Sequence, residues 1–213
     1  MFTGIVEEIG TVRSLRVGGQ SAALEVSAAR VLEGTVVGDS ILTDGVCLTV
    51  TAMGRDRFTA DAMPETIRRT TLADSRAGSP INLERALTLT TRLGGHLVAG
   101  HVDGVGRITR IVPEANALVV SIAVPAEVRD VSVDQGSICV DGVSLTIIDV
   151  GREEVRVSLI PHTSGTTTLG LLKVGARVNL EADLLAKYVH AFVARGASGR
   201  AITWETLGEA GFV

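Results

Sequence analysis

An internal repeat constrains the fold of this chain more than any other feature of the sequence. Residues 40–50 reappear as residues 137–147, an offset of 97 positions (141 minus 44 for the shared Asp-Gly step). Segments 63–66, 70–72 and 82–84 recur at the same offset, and segment 4–10 recurs as 100–106 at an offset of 96. Because chance similarity would not preserve this order, the matches predict two consecutive copies of one domain.

Each copy has the pattern of short β-strands. Apolar and polar residues alternate in segments 23–27 and 155–159, and segment 117–124 is a β-branched run typical of a more buried strand. Asp44-Gly45 and Asp141-Gly142 stand between apolar stretches, where they can supply the positive φ angles of tight hairpin turns. These features predict an all-β fold, and a closed barrel is favoured because closure removes exposed sheet edges. The pattern alone does not separate a barrel from a sandwich.

The segment after the second copy has no partner in the repeat and follows a helical pattern. The apolar residues at helical spacing are Leu185, Tyr188, Val189, Phe192 and Val193. Asp183 is placed to act at the N-terminus of this helix and Gly196 to end it. A second short helix is expected from Ser198, with Ile202 and Leu207 on one side. The apolar face of the first helix is expected to pack either on its own barrel or on a neighbouring chain.

The repeat and the tail together predict the domain organisation. A chain of 213 residues is long enough for two domains of about 100 residues each. We expect domains at 1–90 and 91–184 and a helical tail for oligomerisation at 185–213. The linker is placed near residues 86–92, which are polar and rich in Thr.

Composition excludes several classes of function. The net charge is −4 and only two lysines are present, so no basic surface is expected for binding nucleic acid. No stretch approaches the roughly 18 apolar residues that a membrane helix needs. Glu7 and Glu8 interrupt the start of the chain, so no signal peptide is predicted.

The sequence predicts neither a metal site nor a disulfide framework. Cys47 and Cys139 stand in unlike contexts, and neither belongs to a C-x-x-C pair. His96 and His101 are five residues apart, with no third ligand spaced nearby. The simplest expectation is a cytoplasmic protein with reduced thiols and no cofactor.

Several motifs, taken in order, resemble those of the riboflavin synthase family. They are MFTGIV at residues 1–6, DGVCLTV at 44–50, GGHLVAGHV at 94–102, DGVSLT at 141–146 and NLE at 179–181. Each motif alone is weak, but together they span nearly the whole chain in the family's duplicated layout. The resemblance implies two tandem six-stranded Greek-key β-barrels and a C-terminal helix that assembles a homotrimer.

The resemblance also implies a reaction that needs no metal, flavin or nicotinamide. Two molecules of 6,7-dimethyl-8-ribityllumazine exchange a four-carbon unit to give riboflavin and 5-amino-6-(D-ribitylamino)uracil, the final step of riboflavin biosynthesis. In the family each barrel binds one lumazine, and the productive pair forms between the N-terminal barrel of one chain and the C-terminal barrel of the next. In some organisms the subunits associate with lumazine synthase, which makes the substrate.

By position, the resemblance places substrate-binding segments in both copies. In the first copy the residues are Gly4, Ile5, Val6, Cys47, Leu48, Thr49, Asp61, Ala62, Met63, Pro64, Glu65 and Thr66. In the second copy they are Gly100, His101, Val102, Gln135, Ser144, Leu145, Thr146, Ser158, Leu159, Ile160, Pro161, His162 and Thr163. The glycines at 4 and 100 are expected to let a planar ring approach the backbone, and the threonines to hydrogen-bond the pteridine edge and the ribityl hydroxyls.

Differences between the copies indicate where catalysis is expected, because an asymmetric reaction needs one donor and one acceptor. His101 replaces Ile5 and is the first candidate for proton transfer, since the pKa of imidazole lies near neutrality. Ser144 or its counterpart Cys47 is expected to add to a ring carbon or to position a water that does so. Asp141 is expected to orient Ser144.

Structural explanations for these residues stay open. Asp141 and Asp44 are also explained as turn residues, Cys47 as a small buried residue and Met63 as part of a wall. His96 stays open between a structural role and a role in the site.

Two positions depart from the family pattern, and two other functions stay open. His162 stands where glutamate is common in the family, and Gln135 where lysine is common, which bears on ribityl contacts more than on reaction type. The alternative function is a non-catalytic lumazine- or flavin-binding protein of the antenna type, and a third is a two-barrel interaction module without a small ligand. Both copies retain the Gly-x-Val, Asp-Gly-Val-x-Leu-Thr and Pro-x-Thr motifs, which favours the enzyme.

Overall fold

Two closed β-barrels follow one another along the chain in a computed structural model that describes residues 1–18 and 21–197. The strands of the first barrel are β1 (Glu8–Val17), β2 (Ala22–Ser27), β3 (Ser40–Thr43), β4 (Val46–Met53), β5 (Arg57–Ala62) and β6 (Pro80–Arg85). Those of the second are β7 (Gly104–Glu114), β8 (Ala117–Ala123), β9 (Ser137–Val140), β10 (Val143–Val150), β11 (Glu154–Leu159) and β12 (Arg177–Ala182).

Both barrels have the same Greek-key strand order. Around the first barrel the order is β1-β2-β5-β4-β3-β6, and β7-β8-β11-β10-β9-β12 repeats it in the second. All the pairings are antiparallel, and the last strand of each copy pairs with the first to close the barrel. The predicted all-β fold with two six-stranded barrels is therefore confirmed, and closure decides against a sandwich.

Short helices follow equivalent strands in the two copies. They are α1 (Pro64–Arg69) after β5, α2 (Ala126–Arg129) after β8 and α3 (Pro161–Thr166) after β11. Single 3-10 turns lie at Arg30–Leu32, Thr71–Asp74 and Thr168–Leu171. In both α1 and α3, proline occupies the first helical turn, where its missing N–H leaves no intrahelical bond unmade.

Alternation along the strands separates the cores from the outer faces of the barrels. On β4, Val46, Leu48 and Val50 are buried in the first core, whereas Cys47 and Thr49 point outward. The same alternation on β10 sends one set of side chains into the second core and the other set to the outer face. Reactive side chains at alternate positions therefore lie outside the barrels.

The two Asp-Gly steps form the predicted tight turns. Asp44 and Gly45 have φ angles of 44° and 80°, and Asp141 and Gly142 have φ angles of 45° and 81°. Two consecutive positive φ angles are the requirement of a type I′ hairpin. The explanation of both aspartates as turn residues is confirmed.

Two asparagines fasten the barrels to each other. The side-chain amide of Asn82 on β6 donates to the carbonyl oxygen of Asp141 at 2.9 Å and accepts from the N–H of Thr168 at 2.8 Å. Asn179 on β12 makes the equivalent two contacts with the first barrel. Since both amides are buried and bonded through both of their polar atoms, they define how the barrels sit together.

A longer helix, α4 (Leu184–Ala197), follows the second barrel. The carboxylate of Asp183 accepts from the N–H of Leu185 at 2.8 Å, which confirms its predicted role at the N-terminus. The described helix runs through Gly196 rather than ending before it. The expected second helix, with Ser198, Ile202 and Leu207, lies outside the described residues.

The apolar face of α4 is not packed against the barrel of its own chain. Between 60% and 71% of each residue on this face is exposed: Leu185, Tyr188, Val189, Phe192 and Val193. This favours the second of the two expectations, a neighbouring chain. None of the helices in the described part of the chain is both long enough and apolar enough to span a membrane.

Candidate functional site

The candidate site is built crosswise, because the start of each copy crosses to the barrel of the other copy. The carbonyl oxygen of Gly4 accepts from the N–H of Ser144 at 2.8 Å, and that of Gly100 accepts from the N–H of Cys47 at 2.9 Å. We call residues 3–7 the first crossing segment and residues 99–103 the second crossing segment.

This pairing corrects the grouping expected from the sequence, which assigned each segment to the site of its own copy. Val6 packs against the core of the second barrel, and Val102 packs against the core of the first. The two copies exchange their starting segments near the pseudo-twofold axis that relates the two barrels. At this point Phe2 and Val98 form an antiparallel bridge. Their backbone hydrogen bonds of 2.8 and 3.1 Å hold the two starts side by side, each directed at the opposite barrel.

The glycines in these segments allow the close approach of two stretches of backbone. A Cβ atom on Gly4 would lie 2.7 Å from the Cβ of Ser144, and one on Gly100 would lie 2.5 Å from the Cβ of Cys47. Both glycines also have positive φ, at 74° and 80°. The side of each glycine that would carry a Cβ is therefore occupied by the opposite barrel, and contact of their backbone with a planar ring stays a prediction.

A buried glutamate anchors each crossing segment. The carboxylate of Glu84 accepts from the N–H of Thr3 at 2.7 Å and from that of Gly4 at 2.9 Å. Glu181 accepts from the three N–H groups of residues 99–101 at 2.7, 2.9 and 3.0 Å. Burial raises the pKa of both carboxyl groups, and the hydrogen bonds that they accept oppose that rise.

The first-barrel cleft has a volume of about 200 Å³ and is lined by residues of three segments that the sequence predicted to bind substrate. Its walls include Cys47 from β4, Glu65, Thr66 and Arg69 around α1, and His101 from the second crossing segment. Cys47 is half-buried and His101 is exposed, so both can meet a molecule that enters from solvent. The imidazole expected in the second site therefore lies in the first.

The rims of the two clefts differ in charge. On α1, the carboxylate of Glu65 accepts from Arg68 at 2.6 Å and from Arg69 at 2.5 Å, and these bonds lower the pKa of Glu65. The equivalent helix α3 has the exposed His162 in place of the glutamate. It also carries Ser164, whose buried hydroxyl has no hydrogen-bond partner among the described residues. The first rim is therefore an ionic network, and the second is not.

The region around Ser144 is equivalent by the repeat to the first-barrel cleft, and we call it the second-barrel cleft. It contains a serine–imidazole pair. The Nδ1 atom of His96 lies 2.7 Å from the Oγ atom of Ser144. The Nε2 atom of His96 is buried and has no hydrogen-bond partner within the part of the chain that the structure describes. Burial lowers the pKa of His96, with a smaller opposing effect from the charge of Asp183. A neutral imidazole beside a hydroxyl can accept its proton.

This pair corrects the role expected for Asp141. The Oδ1 atom of Asp141 accepts from the N–H of Asn179 at 2.7 Å, and no hydrogen bond joins it to Ser144 in the described structure. The Asp141 carboxylate is thus bonded to the backbone of β12, and the group oriented toward Ser144 is His96.

Four residues predicted to bind substrate have side chains inside the barrels. Leu48 and Ala62 belong to the first core, and Leu145 and Leu159 to the second. The period of two along a strand explains the difference, because the neighbours of outward-facing residues point inward. Their side chains support the cleft wall from behind.

Other predicted residues lie on the outer surface. Thr49 is paired with Asp61 across β4 and β5, and Thr146 occupies the equivalent exposed place on β10. Met63 and Ile160 are exposed immediately before α1 and α3. Pro64, Pro161, Ser158 and Thr163 lie in the same two regions.

Gln135 occupies the turn before β9. Its φ angle is 61°, and its N–H donates to the carbonyl oxygen of Ile147 at 3.0 Å. The backbone therefore accounts for its conformation, and its contact with substrate stays a prediction.

A larger cavity of about 760 Å³ lies beside the linker between the barrels. Ile5, Arg85 and Arg92 line it, whereas Cys47 and Ser144 do not. We place the candidate site at the smaller clefts because the reactive groups are there. Within the described residues, no three His, Cys, Asp or Glu side chains are grouped to hold a metal ion.

Two aspartates, the partly buried Asp44 and the buried Asp141, lie near each other at the junction of the barrels. Burial raises the pKa of Asp44 to about 7, and burial together with the charge of Asp44 raises the pKa of Asp141 well above its ordinary value. The adjoining glycines are in close contact, since a Cβ atom on Gly45 would lie 2.9 Å from the backbone N of Gly142.

Comparison with known proteins identifies the family. A model of the lumazine binding domain matches residues 3–86 and again residues 99–183. The riboflavin synthase of Bacillus subtilis is 43% identical over 215 residues, covering 100% of each chain. The chain belongs to the riboflavin synthase family. The riboflavin synthase of Mycobacterium tuberculosis is 49% identical over 193 residues, covering 89% of this chain and 96% of its own.

Solved structures support the family assignment at the level of the fold. LumP complexed with 6,7-dimethyl-8-(1'-D-ribityl) lumazine is 26% identical, with a TM-score of 0.77 over 85% of this chain and 99% of its own. LumP complexed with riboflavin is 27% identical, with a TM-score of 0.79 over the same shares. The resemblance to the riboflavin synthase family noted in the sequence is confirmed.

Sequence reasoning only partly identified three residues that organise the site. It leaves the role of His96 open and assigns Glu84 and Glu181 only local hydrogen bonds, because their partners depend on the crossing of segments between barrels. The sequence signals for His96 are its place in the GGHLVAGHV motif and its lack of a counterpart in the repeat, since the equivalent position precedes the first residue.

Proposed function

We propose that this chain is a riboflavin synthase, which converts two molecules of 6,7-dimethyl-8-ribityllumazine into riboflavin and 5-amino-6-(D-ribitylamino)uracil. The observation that carries the proposal is the pair of unlike clefts on one duplicated scaffold. Full-length similarity to riboflavin synthases supports the same conclusion. Two copies of one domain can bind two identical molecules. Different reactive groups in the two copies can then treat one molecule as the donor of four carbons and the other as the acceptor.

The reaction needs modest acid–base chemistry and accurate placement. The C7 methyl group of lumazine is unusually acidic because its anion is delocalised over the ring, so a neutral imidazole is a sufficient base. One molecule then loses four carbons and the other gains them. Holding two rings face to face removes the entropic cost of bringing them together.

We assign proton transfer to His101, at the first-barrel cleft. Its neighbour Cys47 offers a thiol that can add to a ring carbon or hold a water. In the second cleft, Ser144 has the equivalent role, and His96 serves as the base that activates it. Asp141 is assigned to the turn and not to the chemistry.

Substrate binding is assigned to the outer faces around these groups. Thr49 and Thr146 are placed to hydrogen-bond the pteridine edge, and Thr66 and Thr163 the ribityl hydroxyls. Exposed Met63 and its counterpart Ile160 provide apolar edges for the rings. The remaining outward-facing residues of the same segments complete the walls.

Both clefts open at the surface of one chain, so the two rings must meet between chains. We propose a homotrimer in which the N-terminal barrel of one chain faces the C-terminal barrel of the next, held by the exposed face of α4. Deleting residues after Leu184 should give a monomer with sharply reduced turnover. A shortened chain that remains trimeric by light scattering would refute this role for α4. Association with lumazine synthase stays a prediction.

The alternative is a non-catalytic lumazine- or flavin-binding protein, favoured by the similarity to LumP. That similarity is weaker than the similarity to riboflavin synthases, at 26% against 43% identity. The enzyme is also favoured because both clefts retain reactive side chains.

Purified protein should be incubated with 6,7-dimethyl-8-ribityllumazine in metal-free buffer while absorbance and fluorescence are followed. We expect one riboflavin for about two lumazines consumed. Tight binding without turnover would support the non-catalytic alternative. The absence of binding would support an interaction module and contradict both.

A further inference from the structure

The two crossing segments contain a carboxylate at equivalent positions, and each carboxylate has a cationic partner. Glu7 lies two residues after Ile5, and Asp103 lies two residues after His101. Glu7 is paired with Arg85, whose Nη2 and Nε atoms lie 2.5 and 3.0 Å from the carboxylate. Arg85 belongs to β6, so the first copy provides the cation from its own barrel.

The second copy lacks that cation on its barrel. The position equivalent to Arg85 is Ala182 (182 minus 85 is 97), which offers only its backbone N–H to Asp103, at 2.9 Å. The cation comes instead from α4, where the Nζ atom of Lys187 lies 3.0 and 2.9 Å from the two carboxylate oxygens of Asp103. The pair is half-buried, with 26% and 22% of the side chains exposed.

The position of this pair matters because His101 lies between two anchors of the second crossing segment. Glu181 holds residues 99–101 on one side of it. On the other side, the N–H of Asp103 donates to the carbonyl oxygen of Leu180 at 2.8 Å, and Lys187 holds its carboxylate. The first anchor is internal to the barrel, whereas the second depends on α4.

We propose that Lys187 is a positioning residue that ties α4 to the second crossing segment and thereby holds His101 against Cys47 in the first-barrel cleft. The proposal rests on the assignment of His101 to the site. It makes the geometry of one barrel's cleft depend on a helix that follows the other barrel. The anchor of the first crossing segment has no such dependence, because Glu7 is paired with Arg85 of its own copy.

The test uses the full-length chain and a readout that needs no substrate. Cys47 is half-buried in the cleft while Cys139 is buried, so iodoacetamide should alkylate Cys47 selectively. Lys187→Met removes one half-buried ion pair and so loosens the second crossing segment over Cys47. The rate of Cys47 alkylation should therefore rise about fivefold, and kcat should fall by a similar factor. Lys187→Arg, which retains the cation, should restore both to within about twofold of wild type.

A double-mutant cycle locates the effect in the pair. Asp103→Asn keeps the acceptor for the Ala182 N–H but loses the charge, and it should match Lys187→Met. The double variant should be no worse than either single variant, because both remove one interaction. Lys173→Met makes the same change in charge on a distant turn and should leave kcat and alkylation unchanged. Arg85→Met, which loosens the other crossing segment, should leave Cys47 alkylation unchanged.

Several outcomes would overturn the proposal. One is a wild-type rate of Cys47 alkylation in Lys187→Met, and another is additive effects in the double variant. A third is a changed molecular mass of the Lys187→Met assembly by light scattering, which would show that the substitution acts through assembly. A chain that lacks turnover but shows the expected alkylation pattern would contradict the proposed function while leaving the tether intact.

Discussion

Individual residues differ between the copies where the reactive groups lie, and the structure redistributes them between the barrels. The first-barrel cleft holds a thiol from its own strand and an imidazole from the other copy, Cys47 and His101. The second-barrel cleft holds the hydroxyl of Ser144 and the imidazole of His96. Each cleft therefore contains an imidazole beside a thiol or a hydroxyl, and under the proposed function the two clefts have different chemical tasks.

His101 should matter more to turnover than its counterpart Ile5. We expect His101→Ala to lower kcat by about 100-fold or more, in the range for loss of an acid–base group, and Ile5→Ala by less than about tenfold. Initial rates of riboflavin formation at saturating lumazine would measure both. Equal losses would contradict the assignment of proton transfer to His101.

Ser144 and His96 should behave as one unit. Ser144→Ala and His96→Gln should each lower kcat by about 10- to 100-fold, and the double variant should be no slower than the worse single variant. Since burial lowers the pKa of His96, the acid limb of the kcat profile should lie below the ordinary histidine value of about 6.5. If the fold-losses in kcat of the two single variants multiplied in the double variant, the two residues would act independently.

At the scale of structural elements, the crossing segments decide the architecture of the site. Each segment lies against the opposite barrel and is held by a buried glutamate. A glycine in each segment allows its backbone to contact a strand of that barrel closely. Because the two segments are related by a pseudo-twofold axis, their backbone partners are equivalent: Gly4 contacts Ser144, and Gly100 contacts Cys47. The exchange also means that neither cleft is complete within one copy.

Gly100 should be far less tolerant of a side chain than a glycine of similar φ in open space. Gly100→Ala should lower the free energy of unfolding by about 3 kcal/mol, because strained φ and overlap with Cys47 act together. Gly34 has φ of 77° and no atom within 4 Å of the position that a Cβ would occupy, so Gly34→Ala should cost about 1 kcal/mol. Urea denaturation of both variants measures the difference, and similar losses would argue against tight crossing.

At the scale of the whole molecule, the junction between the barrels combines polar and apolar contacts. Asn82 and Asn179 bond across it, with the partly buried Asp44 and the buried Asp141 beside them. A small apolar cluster that includes Phe2 and Val98 fills the space near the axis. The junction therefore defines the barrel arrangement and, with it, the crossing of the segments.

The junction should make stability depend on pH. Asp44 has a pKa raised to about 7, so between about pH 4 and 7 the unfolded chain releases a proton that the folded chain retains. The contribution of Asp44 to stability is therefore greatest below pH 4, is lost as the pH rises to 7, and is constant above 7.

Asp44→Asn removes this loss and still accepts from the Asn82 N–H. Its unfolding free energy, relative to wild type, should rise by at least about 1 kcal/mol between pH 4 and 7. Removing the charge of Asp44 also relieves Asp141, whose pKa that charge helps to raise. Denaturant titrations at several pH values measure the difference. A constant difference across this range would contradict burial of an ionisable pair.

The repeat, the hairpins and the type of fold follow from the sequence, because local rules determine them. Alternation identified strands such as β2 and β11, and Asp-Gly required positive φ whatever the surrounding structure. The family motifs likewise identified Cys47, Ser144 and His101 from short stretches of residues. These features need only a few neighbours along the chain, and those neighbours are adjacent in the sequence.

Tertiary structure alone decided which barrel each crossing segment serves. Because the two copies have the same fold, the sequence is compatible with either assignment. The choice depends on contacts between residues far apart in the chain, from 53 positions for Cys47 with Gly100 to 140 for Gly4 with Ser144. The pairing of His96 with Ser144, and the burial of Leu48 beside Thr49, also depend on closure in three dimensions. Long-range packing sets these contacts because a repeated pattern has the same local preferences in both copies.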